Sequence, residues 1–391
     1  MRLAFYYHIP IIVKNDGLYI PGYFGVFLDS LAMNVDTLVL FLHEGNNKDA
    51  VESVYRLNSK NLEFISLGSK TSAWKRALKP SKVLSIVKQH SDFDYLLVRS
   101  PSPLAPYFPK YVNDKKLIFM IVGDYGDGAA NYAIKGFRDR IIQLFLYYNH
   151  WLFLKVIRKF PVMVNSDALY EKYKNETKQI FKIKTTTLSQ LDFFDREDTC
   201  KGEIIHLLFT GRIDMAKGLS ELIEALAQLV QKDIKVHLNI VGWELGGGNI
   251  VKNILISKAR SLNIVEEITF HGFKSIGNEL FDMYRNADIY VLPSYHEGFP
   301  RTIWEAMANS LPVITTKVGS IPTTLHHLEN AYLIDPKNST QLSEAILELI
   351  NNTDLRKNLI SKGLALAKEN TLEVQSKNIL NNIKKLMHEQ I

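Results

Sequence analysis

Short apolar runs alternate with longer amphipathic stretches along the chain. "LAFYYHI" (3–9), "VDTLVLFL" (35–42), "LEFISL" (62–67), "YLLVRS" (95–100), "KLIFMIVG" (116–123) and "PVMVNS" (161–166) are brief and almost wholly apolar. Runs of that kind read as strands covered on both faces. Stretches of helical length, such as 71–90 and 135–159, lie between several of them. Strand, helix, strand alternation predicts parallel sheets with right-handed crossovers.

Residues 192–203, "DFFDREDTCKGE", break the pattern: they are polar, acid-rich and aperiodic, and read as a linker. The alternation then restarts. Strands are expected at "IIHLLFTG", "KVHLNIVG", "EITFHG", "DIYVLPS", "LPVITT" and "AYLID", with helices over 217–231, 249–262, 276–286 and 302–309 between them. Helices then fill 338–350, 353–368 and 371–389. The reading is two α/β domains, each a doubly wound Rossmann-like sheet, with a ligand cleft between them. Expected bounds are 1–195, 196–370, and a last helix, 371–391, packing back toward the first domain.

Composition changes this picture little. The 46% hydrophobic and 23% charged content is that of a globular protein with sizeable cores. A formal charge of +6 favours anionic partners without choosing among them. The basic residues are dispersed and no recognition motif appears, so nucleic acid is not an expected partner. Cys200 is the only cysteine, which removes an internal disulfide and fits a reducing compartment. The N-terminal run, interrupted by His8 and Pro10, reads as a buried first strand and not as a signal peptide. No stretch reaches the roughly 18 apolar residues of a spanning helix, so a cytoplasmic protein is expected.

Candidate chemistry gathers where strands end. In "LLFTGRIDMAKGLSELIEAL" (207–226), Gly211 permits a tight turn, and Arg212 and Lys217 project from a loop leading into a helix. Arginine forks, lysine charge and helix amides all suit a phosphate; two solvated surface cations are the plainer reading. "HLNIVGWELGGGNI" ends a strand at Gly242 before a glycine-rich loop that lacks the dinucleotide fingerprint. At "HGF", strand-end amides and Phe273 are placed to meet a flat ligand, while His271 reads as structural.

"YHEGFPRTIWEAMANSLPVI" (295–314) holds two carboxylates, Glu297 and Glu305. Pro300 stops one helix from running through both. Even an unbroken helix would leave side chains eight positions apart about 80° from one another. They are not a same-face pair. "TIWE" matches a capping box, with Thr302 as N-cap and Glu305 three residues on. Glu297 lies in a glycine-bearing loop, where a carboxylate can accept hydrogen bonds from sugar hydroxyls. The amides around Gly298, Phe299, Pro300 and Thr302 are placed to hold a phosphate.

"GR", then "KG", then "DIYVLPSYHEGFPRTIWEAMANSLPVITTKVGSIP" resembles the C-terminal half of family-four retaining glycosyltransferases of the GT-B fold, over residues 204–335. That family carries a Glu-x7-Glu element after a strand ending "PS". The resemblance implies that Arg212 and Lys217 bind the donor diphosphate, Glu297 the transferred sugar and Glu305 the ribose. It also implies that Gly298, Phe299 and Pro300 line the donor site. The chain departs from the family at Gly319-Ser320, where two glycines are common, and at "IPTTL", where an acid is common.

In the N-terminal half the match is architectural. Gly22, in "PGYFGVFLDSLA", stands where the family brings a loop to the donor phosphate. Asp124 and Asp127 stand where the family has a histidine, and are acceptor-side candidates. The implied reaction moves a hexosyl or N-acetylhexosaminyl group from a nucleotide-diphosphate sugar to a hydroxyl of a glycan or lipid-linked glycan. It has no cofactor, no metal and no evident enzyme nucleophile; bacterial surface polysaccharide synthesis is the setting. A non-catalytic sugar-nucleotide sensor on the same fold is the alternative. For 135–159, cations flank an apolar middle, and an ordinary core helix is preferred over docking on an anionic membrane, such as the cytoplasmic face of an inner membrane.

Overall fold

A computed structural model of the protein describes residues 1–46, 49, 53–123, 126, 136–244 and 248–388. The chain divides into two compact units: Met1–Thr185 with Gln375–Ile391, and Thr186–Val374.

The first unit contains β1 (Arg2–Lys14), β2 (Gly17–Ile20), α1 (Gly22–Ala32), β3 (Thr37–Glu44), β4 (Tyr55–Arg56), β5 (Leu62–Ser69), α2 (Ala73–Leu78), α3 (Pro80–Gln89), β6 (Tyr95–Ser100), β7 (Leu117–Ile121), α4 (Phe137–Ile157), β8 (Val162–Val164), α5 (Asp167–Tyr173) and β9 (Ile180–Lys182). The parallel order is β5-β3-β1-β6-β7-β8-β9. The end of β1 leaves this sheet to pair antiparallel with β2, which pairs with β4. Chain order reverses between β1 and β6, whose registers align Leu3 with Tyr95 and Tyr6 with Val98. Both faces are covered: Tyr6, Phe41, Val98 and Phe119 join one buried cluster, and Phe5, Phe24, Leu40 and Leu97 another.

The expected helix over 71–90 is two helices. Lys79 precedes Pro80 and sits at φ −130°, ψ 59°, outside the helical region that proline denies its predecessor. The ordinary core helix expected over 135–159 is also corrected. In α4 only Asn149, Phe153 and Ile157 are buried, while Phe137, Ile141, Leu144, Tyr148 and Trp151 form an exposed stripe at helical spacing.

The second unit contains β10 (Ile205–Thr210), α6 (Leu219–Val230), β11 (Val236–Val241), α7 (Ile250–Ser261), β12 (Ile268–Gly272), α8 (Asn278–Arg285), β13 (Ile289–Leu292), α9 (Arg301–Ala308), β14 (Val313–Thr316), α10 (Ile321–Thr324), β15 (Tyr332–Ile334), α11 (Ser339–Asn351) and α12 (Thr353–Lys368). Its sheet, ordered β12-β11-β10-β13-β14-β15, is parallel throughout. Chain order reverses between β10 and β13, the place where doubly wound sheets open a crevice beyond their carboxyl ends.

The final helix, α13 (Leu372–His388), begins in the second unit and ends in the first. Its Ile379, Leu380, Ile383 and Leu386 belong to the buried cluster of Phe5, Phe24 and Leu40. Against an expected boundary at 195/196, the division falls at Thr185/Thr186, because 186–191 is tied to the second unit. Leu372 N–H donates to the Leu188 carbonyl, and Ser189 Oγ to Glu373 at 2.8 Å.

The segment 192–203, expected as a linker, is laced to the same unit. Phe194 N–H donates to Ala308, Cys200 N–H donates to Asp288, and the Arg196 guanidinium reaches the carbonyls of Arg285 and Ala287 at 2.9 and 2.7 Å. Its polarity serves carbonyl capture, so lack of periodicity there does not mean slackness.

Candidate functional site

The loop after β10 is built to reach the end of β13. Gly211 has φ 152° and donates its N–H to the Val241 carbonyl at 3.0 Å. Asp214 caps the single 3-10 turn Met215–Lys217 by accepting from Ala216 N–H at 2.8 Å. Gly218 follows at φ 66°, so close to β13 that a Cβ would lie 2.0 Å from the Pro293 carbonyl oxygen. Only glycine fits there. Tyr295 N–H donates to the Ala216 carbonyl at 2.8 Å and fastens the two loops together.

This geometry places the Lys217 ammonium on the Glu297 carboxylate. Their side chains are 16% and 11% exposed, and Lys217 Nζ donates to Glu297 Oε1. Ser294 Oγ donates to the same oxygen at 2.8 Å. The Ser294 carbonyl accepts from Thr316 Oγ1 at 2.6 Å. On its other side the Glu297 backbone meets Gly319, at φ 57°, where a Cβ would lie 1.7 Å from the Glu297 carbonyl oxygen. Ser320, the departure from the two-glycine pattern, holds ordinary φ −91° and donates its N–H to the Gly298 carbonyl at 3.0 Å. A side chain is therefore tolerated at Ser320 and not at Gly319.

The capping box expected at Thr302 does not form. The helix α9 starts at Arg301 with Pro300 as its N-cap and no side-chain cap. Proline's fixed φ, here −77°, supplies the entry that a hydroxyl cap would otherwise give. Glu305 is 4% exposed and turns inward. It accepts from Thr187 Oγ1 at 2.5 Å and from Tyr284 OH at 2.7 Å. The Tyr284 hydroxyl also lies 2.6 Å from Thr210 Oγ1, which links Glu305 to the end of β10. Burial and the neighbouring carboxylate push the Tyr284 phenol well above its usual range, so it stays a donor. Phe299 stacks on Trp304 with ring centres 4.4 Å apart, which orients the turn between the two carboxylates.

At the neighbouring strand ends, Gly242 has φ 148° and would place a Cβ 1.7 Å from the Gly211 carbonyl oxygen. Its N–H donates to the Gly272 carbonyl at 2.8 Å. These three glycines make a side-chain-free ledge across β10, β11 and β12. Beside it Phe273, 43% exposed, meets Trp243 edge-on at 5.0 Å. Trp243 was not singled out by the sequence; its place directly after a strand-end glycine is the signal that marked Gly242. His271 is structural, hydrogen-bonded to Asn239 at 2.8 Å. The amides that open α7 are taken by Glu244, which accepts from Ile250, Val251 and Lys252.

The structure thus brings Lys217, Glu297, Gly211 and Gly242 to adjoining strand ends, with Glu305 buried behind them. Arg212 is exposed and makes no ion pair among the described residues. In the first unit Gly22 is the first residue of α1, after Pro21. Asp124 and Asp127 lie outside the described residues, as do the first two glycines of "GGG". No group of three metal-ligating side chains occurs among the described residues.

A sequence profile described as glycosyl transferases group 1 matches residues 194–365, the segment that carries this arrangement except for Thr187. Residues 194–365 form a group 1 glycosyl transferase domain. An uncharacterized glycosyltransferase of Methanocaldococcus jannaschii is 35% identical over 162 residues, 41% of this chain and 43% of its own length. A D-inositol 3-phosphate glycosyltransferase of Corynebacterium diphtheriae is 27% identical over 165 residues, 41% of this chain and 38% of its own. The chain thus spans about two-fifths of the curated relatives it matches. Similarity of fold extends further than the group 1 domain. Anabaena HepE, solved in complex with UDP, superposes with a TM-score of 0.73 at 18% identity, covering 98% of this chain and 100% of that one. The sucrose-phosphate synthase of Thermosynechococcus elongatus gives 0.74 at 18% identity, with full coverage of both. The fold is GT-B, a pair of Rossmann-like domains.

Proposed function

We propose that the protein transfers a hexosyl or N-acetylhexosaminyl group, with retention, from a nucleotide-diphosphate sugar to a hydroxyl of a glycan or lipid-linked glycan. The observation that carries this reading is the Lys217–Glu297 pair at the switch point between β10 and β13. A diphosphate entering there exchanges the lysine's carboxylate partner for phosphate oxygens and frees Glu297 to accept from sugar hydroxyls. Arg212, exposed on the same loop, adds a second cation. Charge developing on the leaving diphosphate is stabilised by these groups and by the α9 amides beyond Gly298, Phe299 and Pro300. Thr302 stands in the same first turn.

The glycine ledge of Gly211 and Gly242, with Phe273, suits the flat base, and Glu305 the ribose. Gly22 is assigned to donor-phosphate binding and Asp124 to the acceptor side, as the family resemblance implies. Structural neighbours solved with UDP and with UDP-glucose support a uridine donor. Cations and amides take the place of a metal, so transfer needs no added divalent ion.

No helix among the described residues is long and apolar enough to cross a membrane. The exposed stripe of α4, with Arg138, Arg140, Lys155 and Arg158 along the helix and at its end, supports peripheral contact with an anionic cytoplasmic membrane surface. A screen of sugar nucleotides by thermal shift, followed by transfer assays on glycan and lipid-linked acceptors, tests the reading. Binding of at least one donor and its turnover are expected; the absence of both across common sugar nucleotides would sink it.

A further inference from the structure

At the carboxyl edge of the first unit's sheet, cationic groups are buried without an ion pair among the described residues. Arg76, on α2 just after β5, is 6% exposed. Its Nε and one terminal nitrogen are buried with no hydrogen-bond partner, and it makes no ion pair among the described residues. A buried guanidinium is ordinarily paired, because taking its charge out of water is costly.

No carboxylate pairs with it among the described residues, and the histidines beside it carry no charge to offset its own. Burial first, then the Arg76 charge, pushes the imidazole of His8 down to about 3 and that of His43 down to about 4. Both rings are therefore neutral near pH 7. His8 Nδ1 and His43 Nε2 lack partners as well, as do Arg99 Nε and Ser100 Oγ. The Arg99 guanidinium stacks over Tyr7, 4.7 Å from the ring centre, which holds it in place without neutralising it. The one other cation felt by both histidines, Lys70, is already satisfied by Asp49 at 2.6 Å.

These residues come from β1 just past its pairing with β6, from the ends of β3 and β6 and from α2, around the point where chain order reverses. Unpartnered donors converging at such an edge point to a ligand. We propose that this edge binds an anionic group of the acceptor, a phosphate or a carboxylate, with Arg76 at the floor and Arg99 and His8 at the rim. A bidentate guanidinium fork fits either anion. Ser100 also lines a small pocket with Ser102, Phe153 and Tyr173. That the anion belongs to the acceptor rests on the transfer reading above; the binding of an anion here does not.

The test is calorimetric titration of the full chain, saturated with UDP to block the donor side, at constant ionic strength. Inorganic phosphate and glucuronate are the two probes, and the one that binds identifies the source. Arg76→Met is expected to weaken that probe by about tenfold or more while UDP affinity stays within about twofold. The same variant, free of ligand, is expected to unfold at or above the wild-type temperature, since a buried unpaired charge is gone. Equal binding by Arg76→Met, or no binding of either probe to the wild type, overturns the proposal. Should Arg76→Met prove too unstable to titrate, Arg99→Gln makes the same comparison at the rim, with the same two outcomes. If UDP does not bind, a uridine donor is excluded and the transfer reading falls back on the sugar-nucleotide screen, while the titration run without UDP still decides for or against this site.

Discussion

Lys217 and Glu297, eighty positions apart in the chain, form a partly buried ion pair whose shared oxygen also accepts from Ser294. Each group thus holds the other in position. The two are expected to separate in kinetics. On the proposed function, Lys217→Met loses the diphosphate contact and should lower kcat/KM by about 10²–10³-fold, with weaker UDP binding. Glu297→Gln should cut kcat by at least about tenfold while UDP affinity changes by less than about threefold. Steady-state kinetics beside UDP titration checks both; equal losses of UDP binding in the two variants would contradict the division of roles.

Glu305 should matter for stability before it matters for turnover. Glu305→Ala leaves the hydroxyls of Thr187 and Tyr284 buried without their acceptor, at a cost of about 2–5 kcal/mol. Glu305→Gln keeps an acceptor oxygen and should cost about 1 kcal/mol. Chemical denaturation of both variants measures this, and a Glu305→Ala chain as stable as the wild type would show the network to be idle.

Glycine positions of similar φ should differ sharply. Gly319→Ala drives a Cβ into the Glu297 carbonyl, whereas Gly272→Ala meets open space at φ 72°. The first should cost about 2–4 kcal/mol and displace Glu297, lowering turnover; the second should cost only about 1 kcal/mol of backbone strain. Paired denaturation curves and transfer rates distinguish them.

Acid should weaken the first unit through its two neutral histidines. Above pH 6.5 both imidazoles are uncharged whether the chain is folded or not. Below it the unfolded chain takes up protons that folded His43 refuses down to about 4 and folded His8 down to about 3. Stability is therefore complete above 6.5 and declines as pH falls through that window. Replacing both histidines by asparagine should flatten the pH dependence of the melting temperature over the same range; an unchanged slope would place its origin elsewhere.

The exposed face of α4 should respond to charge. Leu144→Glu and Trp151→Glu are expected to reduce flotation with phosphatidylglycerol vesicles by about tenfold together, and to leave UDP binding unchanged. Vesicle binding that survives both changes would remove this helix from membrane contact. A wild-type chain that dimerises, with dimers broken by the same changes, would assign the stripe to a second copy instead.

Legibility followed physical locality. Strands such as Ile205–Thr210 and Ile289–Leu292 are buried on both faces and appear as unbroken apolar runs, so periodicity found them. Strands β2, β4 and β9 are two to four residues long and exist by pairing with neighbours, which leaves no periodic trace. The glycines that let loops touch were visible as glycines, though not what each touches. "TIWE" imitated a cap because the pattern cannot register that Pro300 has already set the helix entry. Glu305's true partner, Thr187, is 118 positions away, and no local rule reaches that far. In α4 the apolar stripe suggested an inward face, yet the face that is buried carries Asn149, whose amide donates to the Pro103 carbonyl at 3.1 Å.

The passage of α13 from one unit into the other sets an order on biosynthesis. The β1 core is closed by Ile379, Leu380, Ile383 and Leu386, which leave the ribosome after the whole group 1 domain. The earlier segment must wait for the later one, with apolar surface worth on the order of 2 kcal/mol per missing side chain still facing water. The second unit, contiguous over Thr186–Val374, is under no such delay. A nascent chain would therefore hold a finished second unit while the β1 sheet still depends on a chaperone or on residues made later.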